Sequence, residues 1–435
     1  MLRCLVFFAL LAPLVSHADE PARSPIDLTS AKKYFDEGQR LAKADDGKLW
    51  GKSLAGPMIF CDPRTRFVAA SQADAEGKLK EEAGVFTGTV PPNVGIANTA
   101  VEWAGVKWAM IIWPLPSDPE ERAVILMHEP FHRIQPDLKL PMASPRNAHL
   151  DTRDGRYWLQ LEWRALAKAM ATKGNEQRRA ASDALLFRYQ RRRLFKEEAA
   201  KEENALEMNE GLAEYTGVKL SGLADAEQYL LCVKRFERRP AMLKSFVRSF
   251  AYVSGPAYGL LLDEYAPGWR TKLKSEDDLG QKLVMSLQLS SVELTPEGLK
   301  ERANQYGAAK LWEAETARDE ARQQKLAGYR KLLIDGPVLE IPLVQMQMSF
   351  DPNNVVPMEG VGTVYPTFTL RDKWGKLEVQ QGCLLGADFK KAFVAGPIKL
   401  EEAVVTGPGW ELRLEPSWKA VAGTRKGDWK LEPAK

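Results

Sequence analysis

Apolar and polar positions follow two rhythms along the chain. Between Pro57 and Pro114 the apolar runs are short: Met58-Ile59-Phe60-Cys61, Arg66-Phe67-Val68-Ala69, Gly84-Val85-Phe86-Thr87 and Trp108-Ala109-Met110-Ile111-Ile112-Trp113. Such runs between turn residues predict strands, and together a small sheet. The polar, Lys-rich stretch 29–54 before them predicts a surface helix. Ser117-Asp118-Pro119-Glu120 then offers a cap, a proline at the first helical position and acidic residues in the first turn, and Ala123 to Met127 carry that helix into a core. From Arg156 to about Leu220 the rhythm is helical. Apolar residues recur at Trp158, Leu161, Leu166 and Met170, then at Leu185, Leu186, Leu194 and Phe195, with a break at Lys173-Gly174-Asn175. Thr295-Pro296-Glu297 starts a further long helix, which Asp335-Gly336-Pro337 ends. Beyond Pro337, alternating runs such as Thr363 to Leu370 and Trp410 to Leu414 predict a β sandwich or barrel. The expected fold is α+β. A small N-terminal sheet packs on the helix that starts at Pro119, a mostly helical second subdomain follows, and an all-β domain ends the chain. The expected regions are 1–18, 19–116, 117–336 and 337–435.

Composition narrows the setting. The 435 residues are 45% hydrophobic and 27% charged, which fits a folded protein and excludes wholesale disorder. A formal net charge of +3 does not point to nucleic acid as a partner. The basic run Arg191-Arg192-Arg193 reads as a solvated helix face, because acidic residues interleave nearby. Residues 1–18 combine Arg3, the apolar stretch from Leu5 to Val15, and small residues at Ser16 and Ala18. That pattern predicts a cleaved secretory signal and an exported protein, periplasmic or extracellular. No later run approaches a membrane span; the best, Val101 to Leu115, carries Glu102 and Lys107. Cys61, Cys232 and Cys383 remain after cleavage. Either one disulfide and one free thiol or three buried thiols fit an oxidising compartment.

The chemistry concentrates in Val124-Ile125-Leu126-Met127-His128-Glu129-Pro130-Phe131-His132. Residues four apart share a helix face, so His128 and His132 can direct two imidazoles at one ion, with Glu129 placed one step round as a base for water. Pro130 stands inside this helix, where a proline costs about 3 kcal/mol in an ordinary setting. It marks either a kink that tilts His132 or a site relieved of catalytic demand. Two histidines do not complete a catalytic zinc site, which takes a third protein ligand. Leu138 stands where a metzincin-type third histidine would fall.

The third ligand comes from a resemblance. Asn209-Glu210-Gly211-Leu212-Ala213, late in a helical stretch, resembles the segment that supplies the third ligand in gluzincin zinc peptidases, especially their aminopeptidase-like branch. By that match Glu210 is the ligand. Glu214, one turn on, shares its face and suits a carboxylate that orients a histidine. Tyr252-Val253-Ser254-Gly255 looks like the Tyr-x-x-Gly segment whose hydroxyl stabilises the oxyanion in those enzymes, which assigns that part to Tyr252, with Tyr258 and His149 as rivals. Glu162 competes with Glu210 as third ligand, although a partnership with Arg164 or another nearby base is the favoured reading. The resemblance spans roughly residues 105–265. It lacks the Gly-x-Met-Glu-Asn segment that grips a free amino terminus, and the stretch 133–209 is long for the aminopeptidase-like branch. The strand from Trp108 to Trp113 could serve instead as an edge that pairs with an extended peptide. The resemblance implies an α+β catalytic unit and a bound zinc ion. It implies hydrolysis of peptide bonds in a peptide or protein substrate, through zinc-activated water with Glu129 as general base. The alternative is a non-catalytic protein that holds a peptide or glycan on the same scaffold.

Overall fold

The computed structural model describes residues 25–289, 295–351 and 354–434. The expected signal segment, 1–18, lies outside the described residues. The chain divides into two compact units, one running to Glu315 and one from Thr316.

The first unit opens with α1 (Leu28–Asp45), capped by Asp27, whose side chain accepts from the Ser30 N–H. Six strands follow: β1 (Met58–Cys61), β2 (Phe67–Ala70), β3 (Lys80–Glu82), β4 (Val85–Thr89), β5 (Thr99–Trp103) and β6 (Val106–Ile112). They form one sheet in the order β3-β4-β2-β1-β6-β5, with β1 and β6 parallel and the other pairs antiparallel. Period-two alternation sends Ile59, Cys61, Val68, Trp108 and Met110 to one apolar cluster. Met58, Phe60, Ala69, Ala109 and Ile111 go to the main core shared with the helices. Both faces are therefore covered, which is why Met58–Cys61 is buried throughout. The strand expected at Trp108–Trp113 is not an edge. β6 lies between β1 and β5, and β5 ends the sheet. Local alternation marks a strand but says nothing of its neighbours, which pairing across the chain decides.

Helix α2 (Pro119–Ile134) starts as the sequence signals: the Asp118 side chain accepts from the Glu120 N–H, Pro119 is first, and Glu120 and Glu121 stand where the helix dipole favours acids. The remaining helices of this unit are α3 (Arg153–Ala171), α4 (Gly174–Arg193), α5 (Glu197–Leu206), α6 (Leu212–Lys219), α7 (Asp225–Met242), α8 (Phe250–Tyr265), α9 (Leu279–Ser286) and α10 (Pro296–Asn304). A π-helical turn, Glu207–Gly211, joins α5 to α6. The long helix expected from Thr295 is two: α10 ends at Asn304, Gly307 takes φ +74°, and α11 (Ala308–Arg330) follows. The unit boundary falls within α11. Among the described residues no helix is long and apolar enough to cross a membrane. Cys61, Cys232 and Cys383 are buried free thiols.

In the second unit the strands from Val338–Pro342 to Trp429–Pro433 form a seven-stranded and a six-stranded sheet. Leu339, Ile341 and Val394 of the first sheet share one core with Leu370, Leu377 and Leu412 of the second, which makes a sandwich. The single apolar run at Thr363–Leu370 serves both sheets: Gly362–Tyr365 pairs in one, and Phe368–Asp372 pairs in the other.

Candidate metal centre

Helix α2 runs unbroken through Pro130 and is buried from Leu126 to His132. Across one turn the His128 and His132 Nε2 atoms approach to 3.2 Å. The π-helical turn brings Glu210 to the same point, its Oε2 3.4 Å from His128 Nε2 and 3.5 Å from His132 Nε2. A π turn inserts a residue into the helical register, a device common at functional sites. Glu129 stands beside the group, with Oε1 3.9 Å from His128 Nε2. Its other oxygen, Oε2, is buried with no hydrogen-bond partner among the described residues. All four residues are at most 8% exposed.

Two close helix contacts set this geometry. A Cβ on Gly217 of α6 would lie 2.6 Å from the Val124 carbonyl oxygen of α2. One on Gly255 of α8 would lie 2.4 Å from the Gly211 Cα. Only glycine lets these backbones meet, and their meeting brings α2, the π turn and α8 around one point. From α8, Tyr252 lays its ring parallel to His128, with centroids 5.5 Å apart, and its hydroxyl donates to Glu210 Oε2 at 2.6 Å. Burial and the Glu210 carboxylate hold the Tyr252 hydroxyl well above its ordinary pKa, so it stays a donor.

The far nitrogens of the histidines are also engaged. His128 Nδ1 donates to Glu214 Oε2 at 2.6 Å, and Glu214 is ion-paired through Oε1 with Arg235 at 2.9 Å. Arg235 in turn holds Glu121 at 2.7 Å. His132 Nδ1 donates to Gln135 Oε1 at 2.7 Å. With both Nδ1 positions protonated, both Nε2 lone pairs face the Glu210 carboxylate and each other. Three electron-pair donors within 3.5 Å, buried together, call for a cation between them, either a proton or a metal ion. The electrostatics agree. Burial pulls the His128 pKa down, but Glu129, Glu210 and Glu214 outweigh it and hold it well above the usual value. Burial pushes Glu129 up to about 7 against the pull of the two histidines. For Glu210 the histidines more than offset burial, and the carboxyl stays ionised. His128, Glu129 and His132 form a buried group that could hold a metal ion, and the lone-pair convergence with Glu210 fits one.

The rival residues lie elsewhere. Glu162 on α3 is ion-paired with Arg188 and Arg191 and accepts from the Tyr258 hydroxyl at 2.7 Å. Arg164, the neighbour first considered for it, donates to the Tyr306 carbonyl instead. His149 pairs with Glu203 at 2.9 Å. The basic run read as a solvated face is also corrected: Arg191 is fully buried between Glu162 and Glu203, and Arg192 binds Glu203 and Asp278. The interleaved acids do not mark a solvated face; they are the internal partners of Arg191 and Arg192. Sequence reasoning missed Gln135 and Arg235. Gln135 carried a signal, one helical turn after His132; Arg235 carried none, because its partners lie on other elements.

Compared with models of known protein families, with curated proteins and with solved structures, the chain matches none.

Proposed function

We propose that this chain is an exported zinc metallopeptidase of the gluzincin type, with His128, His132 and Glu210 as ligands and a peptide or protein as substrate. The observation that carries this reading is the donor triangle, with edges of 3.2, 3.4 and 3.5 Å. A tetrahedral ion with zinc-like bonds of about 2.0–2.1 Å spreads its ligands about 3.3–3.4 Å apart. Zinc bound there supplies a Lewis acid that activates water and polarises the scissile carbonyl. Glu129, whose Oε2 has no partner of its own, takes the proton from the attacking water and delivers it to the leaving amine. The Tyr252 hydroxyl, turned from Glu210, donates to the developing oxyanion. Glu214 and Gln135 keep the two imidazoles in the tautomer that offers Nε2. The leader-like pattern of residues 1–18 supports export.

The test is elemental analysis of protein purified without chelator or histidine tag, joined to a peptide-cleavage assay. Near one zinc per chain is expected, and Glu129→Gln should retain it while turnover falls by at least about 10²-fold, the usual range for a lost general base. A chain that neither carries nor takes up zinc would overturn the site. Zinc with peptide binding but no cleavage would favour the non-catalytic reading, to which the near-complete burial of the four residues lends weight.

A further inference from the structure

The two histidines are held differently. His128 leans on a carboxylate, Glu214, backed by Arg235. His132 leans on a neutral amide, and that amide does more than orient one ring. Gln135 is fully buried, and its Nε2 donates to Asn209 Oδ1 at 3.2 Å and to the Pro141 carbonyl at 2.6 Å. Asn209 precedes Glu210 in the π turn, and its Nδ2 donates to Glu210 Oε1 at 3.4 Å and to the Ala143 carbonyl at 3.2 Å. A continuous hydrogen-bonded chain therefore runs His132–Gln135–Asn209–Glu210. It joins the helix that carries two of the proposed ligands, His128 and His132, to the turn that carries the third, Glu210, and it fastens the loop from Pro141 to Ala143 to both.

Resting on the zinc-site reading above, we propose that Gln135 is the positioning residue of this centre. One side chain fixes the tautomer and orientation of His132 and, through Asn209, the placement of Glu210. Amide chemistry is required for both jobs at once, because only an amide accepts from an imidazole N–H while donating to an amide oxygen and a carbonyl. Its neutrality matters as well. A second carboxylate behind His132 would add negative charge to a site that already has Glu129, Glu210 and Glu214, tightening its hold on a cation while weakening that cation as a Lewis acid.

The test compares zinc affinity, by competition with a chromogenic chelator, in the full-length wild type and three variants, each first checked for an unchanged melting profile as apoprotein. Gln135→Met preserves length and removes every hydrogen bond; its affinity should fall about 10- to 100-fold, the usual range for a lost outer-shell partner. Gln135→Glu keeps an acceptor for His132 Nδ1, as Glu214 does for His128, but loses the donations to Asn209 and the Pro141 carbonyl; its affinity should fall, and by less than that of Gln135→Met. Gln135→Met within about threefold of wild type, or Gln135→Glu falling as far as Gln135→Met, overturns the proposal. Should Gln135→Met fail to fold, Asn209→Ala cuts the same chain one link further on: a loss of about tenfold supports it, and unchanged affinity overturns it. A wild type that binds no zinc defeats the site reading itself, and this proposal falls with it. A wild type that binds zinc while the variants bind equally well defeats the proposal alone.

Discussion

At the residue scale, Tyr252 has two possible employments and a single substitution separates them. Its ring stacks on His128 and its hydroxyl donates to Glu210 Oε2 at 2.6 Å. If the hydroxyl only steadies Glu210, its loss affects metal retention. If it moves to the oxyanion, its loss affects turnover. Tyr252→Phe keeps the ring, so zinc should be retained while kcat on a peptide substrate falls about 10²- to 10³-fold, the usual cost of one oxyanion donor. Unchanged kcat would reduce Tyr252 to an orienter of Glu210. What the sequence revealed at this scale follows chain distance. His128, Glu129 and His132 were legible because one turn of helix fixes their relation. Glu214 was legible as an orienter once Glu210 was placed, again by a one-turn spacing. Glu210 and Tyr252 themselves came only from resemblance, since nothing local states that the π turn and α8 converge on α2. Gln135 obeys the same one-turn rule as the histidines and was readable in principle. A buried glutamine is chemically quieter than a third histidine.

At the scale of elements, the site depends on helices brought close enough for short side chains to meet. At Gly255 the obstacle to a Cβ is the Gly211 backbone, not a side chain that can rotate away, so α8 and the π turn must separate. Gly255→Ala should cost about 1–3 kcal/mol, as overpacking does, and should weaken zinc binding by displacing Glu210. Chemical denaturation of the apoprotein and a zinc titration measure the two effects, and unchanged values in both would mean that the helices adapt freely. Behind the π turn lies a buried ionic cluster. Arg191 and Arg192 hold Glu203, and Arg188 and Arg192 hold Asp278. Burial alone would raise both carboxyls, but the guanidiniums hold Glu203 well below its usual range and Asp278 below its own. An acid with a depressed folded pKa adds stability above its unfolded value of about 4, and that stability is lost as the pH falls through the folded value. Unfolding free energy should therefore drop between pH 5 and pH 3, and more steeply than in Glu203→Gln; equal slopes would remove Glu203 from the account. Elements themselves were legible where caps and periods are local, as at Asp118-Pro119. Strand order was not, so β6 proved internal, and the depth of Arg191 was hidden because a helix pattern does not say which polar face another helix will cover.

At the scale of the whole molecule, the chain carries two separate sets of apolar cores. The sheet and helical clusters belong to the unit ending at Glu315, and the sandwich clusters belong to the unit from Thr316. Every residue assigned to the metal centre lies in the first. A ligand that binds only the folded state stabilises the unit that holds it, by about 2.7 kcal/mol when its free concentration is a hundred times Kd. Calorimetry of the zinc-loaded chain should resolve two transitions. Addition of chelator should lower one of them by a few degrees, since the roughly 2–4 °C per kcal/mol of a domain of 150–250 residues shrinks further in a unit that runs from residue 25 to Glu315. His132→Ala should no longer respond to zinc or to chelator, and should melt below the chelated wild type, because it also leaves a cavity and unpairs Gln135. The assignment of the shifted transition is checked by limited proteolysis along a temperature ramp with and without chelator, where the segment that becomes cleavable at lower temperature on chelation should lie before Glu315. A chelator-sensitive transition that maps to the sandwich would move the metal away from His128 and His132. A melting profile indifferent to both zinc and chelator would leave the buried histidines with only a proton between them.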